Sequence, residues 1–249
     1  MTAEPAAPFA APYLRDGANP GHALAETGFA VMHAAQVVQA LACAEEALLA
    51  LNAAWDDLPP DAYLKDGGRY RRRRHACFVV AGDGVAQAPH RAHWQPVEYN
   101  ALHGGMHRWF EPMAAPVLAA PIWNRLLVWL AGIASGVSGA QAWFVEAHQF
   151  RIDTTDGIGR PTPEGAHRDG VDFVAVFLVA RHAIKGGETR VFDAQGPSGQ
   201  RFTLAQPWSL LLLDDARVIH ESTPIQPLGG HGYRDTLVVT LRKGGFQGA

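Results

Sequence analysis

The sequence predicts a mainly β fold with flanking helices, an α+β chain whose sheets close into a sandwich or barrel. Three observations carry this. From Trp143 onward five strand-like runs follow one another, at 143–152, 171–180, 188–192, 207–213 and 234–241. Turn-forming glycines and prolines separate them, with Gly186-Gly187 marking a tight turn and no helical period between the runs. Ahead of Trp143 lie two long apolar segments with helical character. No Gly-x-Gly-x-x-Gly or other phosphate-cradling loop occurs, which argues against a doubly wound fold.

Each element has its own warrant. Residues 1–20 hold four prolines and little pattern, as expected of a flexible arm or a surface strap. Gly28 to Met32 reads as a short strand. Across Ala34–Trp55, Val37, Leu41, Ala44, Leu48, Leu51 and Trp55 recur at three- and four-residue steps, which predicts one long helix ended by Asp56–Pro60. Arg69–Arg74 packs five arginines around Tyr70 and runs into an apparent strand, His75–Val80. The tract is expected to be mostly a solvated edge strand whose charges discourage further pairing. Alternation nevertheless sets Arg71, Arg73 and His75 on one face, and Arg73 and His75 are candidates to reach a pocket. His93–Phe110 reads as a polar loop, rich in aromatic and amide side chains, at a pocket mouth. His103 and His107 are four apart, but Gly104-Gly105 weakens a helix there and the Glu of a zinc-protease motif is missing. Pro116–Val137 is expected to be a buried helix, or two short ones around Pro121, with Trp123 and Trp129 as core residues.

Composition narrows the function. The chain has 249 residues, 48% of them hydrophobic, enough for one large domain. It is expected to be a single unit, with 1–20 an arm, 21–140 a supporting region and 141–243 the core. A net charge of -3 points to neither a nucleic acid nor a membrane partner. Two cysteines, Cys43 and Cys77, make neither a disulfide framework nor a spaced metal cluster, which suits a reducing compartment. The most apolar stretch, Leu126–Ala134, falls well short of the roughly 20 residues of a membrane span, and the N-terminus lacks the pattern of a signal peptide. The expected location is the cytoplasm.

Chemistry concentrates in Pro163–Gly170. His167 and Asp169 are two apart and in extended chain face one side, and His220 comes at the end of a later apolar run. Two imidazoles and one carboxylate cover one face of an octahedral metal and leave the other open, which suits non-haem Fe(II) and O2. Arg234 comes 14 residues after His220 and opens the alternation Arg234, Thr236, Val238, Thr240. A guanidinium beside a metal-bearing face calls for an anion, and 2-oxoglutarate is a dicarboxylate that also chelates metal. Thr236 is expected to add a hydrogen bond. Gln149 and Arg151 share a face of the 143–152 strand and are expected near the mouth, Gln149 beside the co-substrate and Arg151 beside the substrate; Asn100, Arg73 and His75 are further substrate candidates.

In these residues the chain resembles the iron(II)/2-oxoglutarate-dependent oxygenases, and more narrowly the bacterial family that includes isoleucine hydroxylase and related free amino acid hydroxylases. The likeness spans about residues 70–242. It rests on His75 and the basic tract, Asn100 with Gly104-Gly105 and Arg108, His148-Gln149-Phe150-Arg151, and Pro163-Glu164-Gly165 with His167-x-Asp169-Gly170. It continues through Gly186-Gly187-Glu188-Thr189, Asp214-Asp215 before His220, and Tyr233-Arg234-Asp235. The resemblance implies a double-stranded β-helix, the cupin-like jelly roll. It also implies iron on His167, Asp169 and His220, 2-oxoglutarate on Arg234, and hydroxylation of a small molecule, a free L-amino acid first, with release of succinate and CO2. Such a substrate needs a cation for its carboxylate and an acceptor for its ammonium; Arg73, Arg151 and Glu146 are the candidates. Rival readings are a zinc or manganese enzyme on a similar barrel, a cupin-like protein that senses a small ligand, and an oxygenase acting on a protein or nucleic acid. Nothing in the sequence sets the oligomeric state.

Overall fold

The structure, a computed structural model, describes residues 9–248. The helices are α1 (Pro20–Thr27), α2 (Ala34–Ala40), α3 (Glu45–Leu49), α4 (Ala115–Leu118) and α5 (Pro121–Ser138). The strands are β1 (Phe29–Met32), β2 (Arg71–Ala81), β3 (Gly84–Gln87), β4 (Trp143–Asp153), β5 (Phe173–His182) and β6 (Ile184–Gly186). They continue with β7 (Thr189–Asp193), β8 (Gly199–Phe202), β9 (Leu210–Asp214), β10 (Val218–Ser222), β11 (Ile225–Pro227) and β12 (Tyr233–Arg242).

Seven strands pair antiparallel in the order β1-β9-β5-β12-β4-β2-β3, and smaller sheets β10-β7-β8 and β11-β6 lie apart from it. The fold is thus mixed, with a dominant antiparallel sheet and flanking helices. Alternation divides the large sheet into two faces. Trp143, Val145 and Ala147 of β4, Phe173, Ala175 and Phe177 of β5 and Leu237, Val239 and Leu241 of β12 pack on one side. Against them lie Trp123, Leu126, Leu127, Leu130 and Ala134 of α5, at the three- and four-residue steps of one helix face. A second core joins Val174, Leu178, Leu211 and Leu213 of the large sheet to Val191, Phe202 and Val218 of the small one, so the two sheets share buried apolar side chains. The strands from β1 to β3 belong to the same large sheet as β4, β5, β9 and β12, so the N-terminal half builds the sheet as well as flanking it.

Part of the expected arm lies outside the described residues. The described part is a strap: Leu14 donates its backbone N–H to the Val31 carbonyl at 2.8 Å, and Thr203 donates to the Phe9 carbonyl at 3.0 Å. The strap leads into α1, which the apolar pattern does not announce; Asn19 caps its first turn and Gly28, at φ 80°, ends it.

The single helix expected over Ala34–Trp55 is instead α2, α3 and a 3-10 turn, with a bend of 102° between α2 and the rest. The apolar spacing marked burial correctly at Val37, Leu41, Leu48, Leu51 and Trp55, but Ala44 is exposed. Ala42 adopts a left-handed φ of 44°, and Arg125 from α5 donates to the carbonyls of Leu41 and Ala42 at 3.1 and 2.9 Å. A distant side chain thereby satisfies the carbonyls that the break exposes. Beyond the bend Trp55 donates its indole N–H to the carbonyls of Phe150 and Thr236, both at 3.2 Å, and ties this layer to β4 and β12. Pro121 does divide the later apolar segment, into α4 and α5.

Nor is the arginine tract a solvated edge. β2 sits between β4 and β3, and its first half is covered by bridges from Pro60 to Arg72 and from Pro112 to His75. Arg71, Arg73 and His75 are buried. Among the described residues no single helix is long and apolar enough to cross a membrane.

Candidate metal centre and adjoining pocket

His167 lies in the loop before β5 and His220 in β10, and the two pair as an isolated antiparallel bridge. Asp169 completes a group whose ligand atoms all lie within 4.8 Å of one another. Asp169 Oδ1 is 3.8 Å from His167 Nε2, and its Oδ2 is 3.7 Å from His220 Nε2. The loop is clamped from below by Asp215, whose carboxylate accepts the backbone N–H groups of Asp169, Gly170 and Val171 at 2.9, 2.7 and 3.2 Å. Gln247 donates to the carbonyls of Asp169 and Gly170 at 3.1 and 2.6 Å. Gln95 donates to Asp169 Oδ1 at 3.1 Å and accepts from Asn100 at 3.0 Å and Arg108 at 2.9 Å. Burial opposes a charge on His167, but the carboxylates of Asp169 and Glu164 raise its pKa above the usual imidazole value. For His220, burial and the neighbouring His167 push it well below that value.

A second group, His75, His93, Glu146 and His148, also gathers its ligand atoms within 4.8 Å. Glu146 Oε2 is 2.7 Å from His93 Nδ1, 3.0 Å from His75 Nε2 and 3.8 Å from His148 Nε2. Burial holds the three histidines below the usual pKa, while the imidazoles around Glu146 hold its carboxyl far below the carboxylate range despite burial. The group is therefore one carboxylate amid neutral imidazoles.

Tautomers separate the two groups. His167 Nδ1 faces the Gly165 carbonyl at 2.9 Å, so Nδ1 carries the proton and Nε2 offers its lone pair toward Asp169 and His220. That is the outer support a metal-bound imidazole needs. In the second group Arg73, which can only donate, meets His148 Nδ1 at 2.7 Å. The proton of His148 then sits on Nε2, the atom a metal would need. The donor chemistry fits a divalent metal at His167, Asp169 and His220 and fits a hydrogen-bonded carboxylate hub at Glu146.

His167, Asp169 and His220 line one pocket together with His93, Glu146 and His148 of the second group. β12 contributes Arg234, Thr236, Val238 and Thr240, the alternation seen in the sequence, and β4 contributes Glu146, His148, Phe150 and Ile152. Arg71 and Arg73 come from β2, and Gln95, Asn100 and Arg108 from the loop ahead of α4. Arg234 is buried yet, among the described residues, has no carboxylate at ion-pair distance; burial and Arg181 lower its pKa to about 10. Asp235 pairs with Arg151 instead.

The predicted residues thus divide. His167, Asp169, His220, Arg234, Thr236, Asn100 and Arg73 line the pocket, and His75 supports Glu146 from the neighbouring strand. Gln149 and Arg151 do not reach it. Both lie on the opposite face of β4, Gln149 wholly buried and Arg151 held by Asp235 at 2.7 Å and Asp56 at 3.1 Å. Register explains this: Arg234 opposes Ile152, and the strand's even-numbered residues share Arg234's face. Gln95, Glu164, Arg108 and Asp215 surround the site without having been assigned a part in it. The resemblance passes through three of them; Glu164 is three residues from His167, but no local spacing joins Gln95, Arg108 or Asp215 to it.

Known proteins share this architecture. A family model described as 2OG-Fe dioxygenase matches residues 52–240. A crystal structure of a bsmA homolog from Methylobium petroleophilum PM1 is 52% identical, with TM-score 0.87, covering 92% of this chain and 93% of that one. The structure of IDO from Bacillus thuringiensis is 17% identical, with TM-score 0.73, covering 92% and 94%. The Fe(II)/(alpha)ketoglutarate-dependent dioxygenase TqaL is 19% identical, with TM-score 0.71, covering 92% and 87%. The last two are likenesses of fold. No curated protein matches.

Proposed function

We propose that this chain, which belongs to the 2OG-Fe dioxygenase family, is an iron(II)- and 2-oxoglutarate-dependent hydroxylase of a small molecule, a free L-amino acid first among the candidates. The observation that carries the reading is the convergence of His167, Asp169 and His220 in one pocket with Arg234, a buried cation with no carboxylate at ion-pair distance among the described residues. We read the two sheets with their shared apolar core as a double-stranded β-helix.

His167, Asp169 and His220 would hold the iron, with Gly165 and Gln95 orienting the first two. Iron with 2-oxoglutarate and O2 supplies the oxidising chemistry, which converts the co-substrate to succinate and CO2 and places one oxygen atom on the substrate. Arg234 holds the far carboxylate of 2-oxoglutarate, and Thr236 lies one step along the same face. Burial of Arg234 strengthens that contact, because few water molecules compete for the guanidinium. Val176 and Val238 give the pocket apolar wall, which keeps water from the reacting centre.

A small polar substrate suits the rest of the lining. Glu146 offers an ionised carboxylate for an ammonium group, braced by His75 and His93. Arg73 is fixed between Phe110 and Phe150, its guanidinium carbon 3.7 and 4.3 Å from the two ring centres. The test is turnover of 2-oxoglutarate by iron-loaded protein with pooled free amino acids. Succinate release with a mass gain of one oxygen on one amino acid is the expected result. Absence of both iron binding and succinate formation would overturn the reading.

A further inference from the structure

Resting on that reading, we propose that Arg108 anchors a carboxylate of the substrate, so that the enzyme selects small acids over their neutral counterparts. The pocket holds two buried arginines with no carboxylate at ion-pair distance among the described residues, Arg234 and Arg108. Arg108 feels the carboxylates of Asp61, Glu164 and Glu146, and Arg234 that of Asp235, only from beyond contact distance, so each guanidinium keeps room for an anion supplied from outside the chain. Two such cations in one pocket call for two anionic groups. The co-substrate's far carboxylate accounts for Arg234, and its other end belongs at the metal. Arg108 is left for a second molecule.

The other basic side chains are already engaged. Arg71 donates to Asp61 at 2.7 Å, and Arg73 contacts His148 at 2.7 Å with Asp61 at 3.8 Å. Among the described residues all three arginines leave one buried guanidinium nitrogen unpartnered, but Arg108 alone has no carboxylate within 4 Å, its hydrogen-bond partner being the Gln95 side-chain oxygen at 2.9 Å. Its place is informative too. Gln95 passes from Arg108 directly to Asp169 Oδ1 at 3.1 Å, so one amide separates the anchor from a proposed iron ligand. A substrate acid on Arg108 is thereby set at a fixed offset from the metal centre, as a selective oxidation requires. Asn100, which also donates to Gln95, holds that amide in the orientation that serves both neighbours.

The experiment uses the full chain loaded with Fe(II) and compares free L-amino acids with their carboxamides as stimulants of succinate release. 2-Oxoglutarate KM is measured alongside. Stimulation by an amino acid and not by its carboxamide is expected. Arg108→Gln should lower kcat/KM for that acid about 10- to 100-fold and erode the preference over the carboxamide, with Arg108→Lys intermediate and the 2-oxoglutarate KM unmoved. Equal stimulation by acid and carboxamide overturns the proposal, as does an Arg108→Gln protein that keeps the acid preference. Stimulation by neither, from a protein that binds iron and 2-oxoglutarate, overturns it as well. A wild-type protein that binds neither iron nor 2-oxoglutarate overturns the underlying assignment instead. The acid–carboxamide comparison on the wild-type chain tests the acid preference, and Arg108→Lys, which keeps the charge and bulk, tests its assignment to Arg108 where Arg108→Gln does not fold.

Discussion

His167 and His220 exchange backbone hydrogen bonds: His167 N–H donates to the His220 carbonyl at 3.0 Å, and His220 N–H to the His167 carbonyl at 2.9 Å. The pair sets the two rings 4.6 Å apart between centroids. Main chain thus joins the loop before β5 to β10, with the Thr162 hydroxyl adding bonds to the Ser222 carbonyl and N–H at 3.0 and 3.1 Å, so the candidate ligands are gathered by the fold itself. Asp169→Ala should therefore leave the fold intact while lowering Fe(II) retention and succinate formation together. Metal analysis beside a melting curve checks this; full iron content in the variant would count against the role.

Asp215 touches no ligand atom, yet it accepts three consecutive backbone N–H groups of the loop that carries Asp169. Asp215→Ala strands those donors and frees the loop. Iron affinity should fall about 10- to 100-fold, as for other outer supports of a metal site. A titration with Fe(II) under anaerobic conditions reads this, and an unchanged affinity would reduce Asp215 to a turn residue.

Arg234→Gln removes the proposed contact to the far carboxylate of 2-oxoglutarate. The KM for 2-oxoglutarate should rise about 10- to 100-fold, the usual worth of a charge-assisted hydrogen bond, with Arg234→Lys between the two. Iron retention should not change. A variant that loses iron but keeps its 2-oxoglutarate KM would reverse the assignment.

The buried histidines around Glu146 predict acid lability. Burial holds His75 and His148 below the usual imidazole pKa and His93 at about 4. A histidine neutral in the fold takes a proton more readily when unfolded, so stability is full above the unfolded pKa and falls as pH drops toward the folded one. The melting temperature should decline between about pH 7 and pH 5, by roughly 2–4 °C for each kcal/mol lost. A flat profile over that interval would show that these imidazoles accept protons without penalty.

The sequence made some of this legible and hid the rest for physical reasons. His167, Asp169 and Arg234 could be read because each sits in a local pattern, an i, i+2 pair or an alternating strand, that fixes its neighbours' direction. His220 is read from its place at the end of a later apolar run, and the family likeness supports it; the bridge that brings it to His167 has no local signature. The error over Gln149 and Arg151 has a clear source. β4 is an interior strand with both faces largely covered, so polarity does not reveal which side meets the pocket. Register with Arg234 does, through the Arg234–Ile152 pairing. The bend after α2 was hidden similarly: its apolar spacing is helical, and Arg125, 83 residues away from Ala42, supplies the reason for the break. Gln95 and Arg108 act through contacts across the fold, where no spacing in the chain points to them.

The most direct measurement is anaerobic Fe(II) binding by the wild-type chain and by two variants, His167→Ala/His220→Ala and His93→Ala/Glu146→Gln. One iron per chain is predicted for the wild type, lost in the first variant and kept in the second. Iron that survives the first pair of changes and disappears with the second would contradict the account, because the metal would then sit at Glu146.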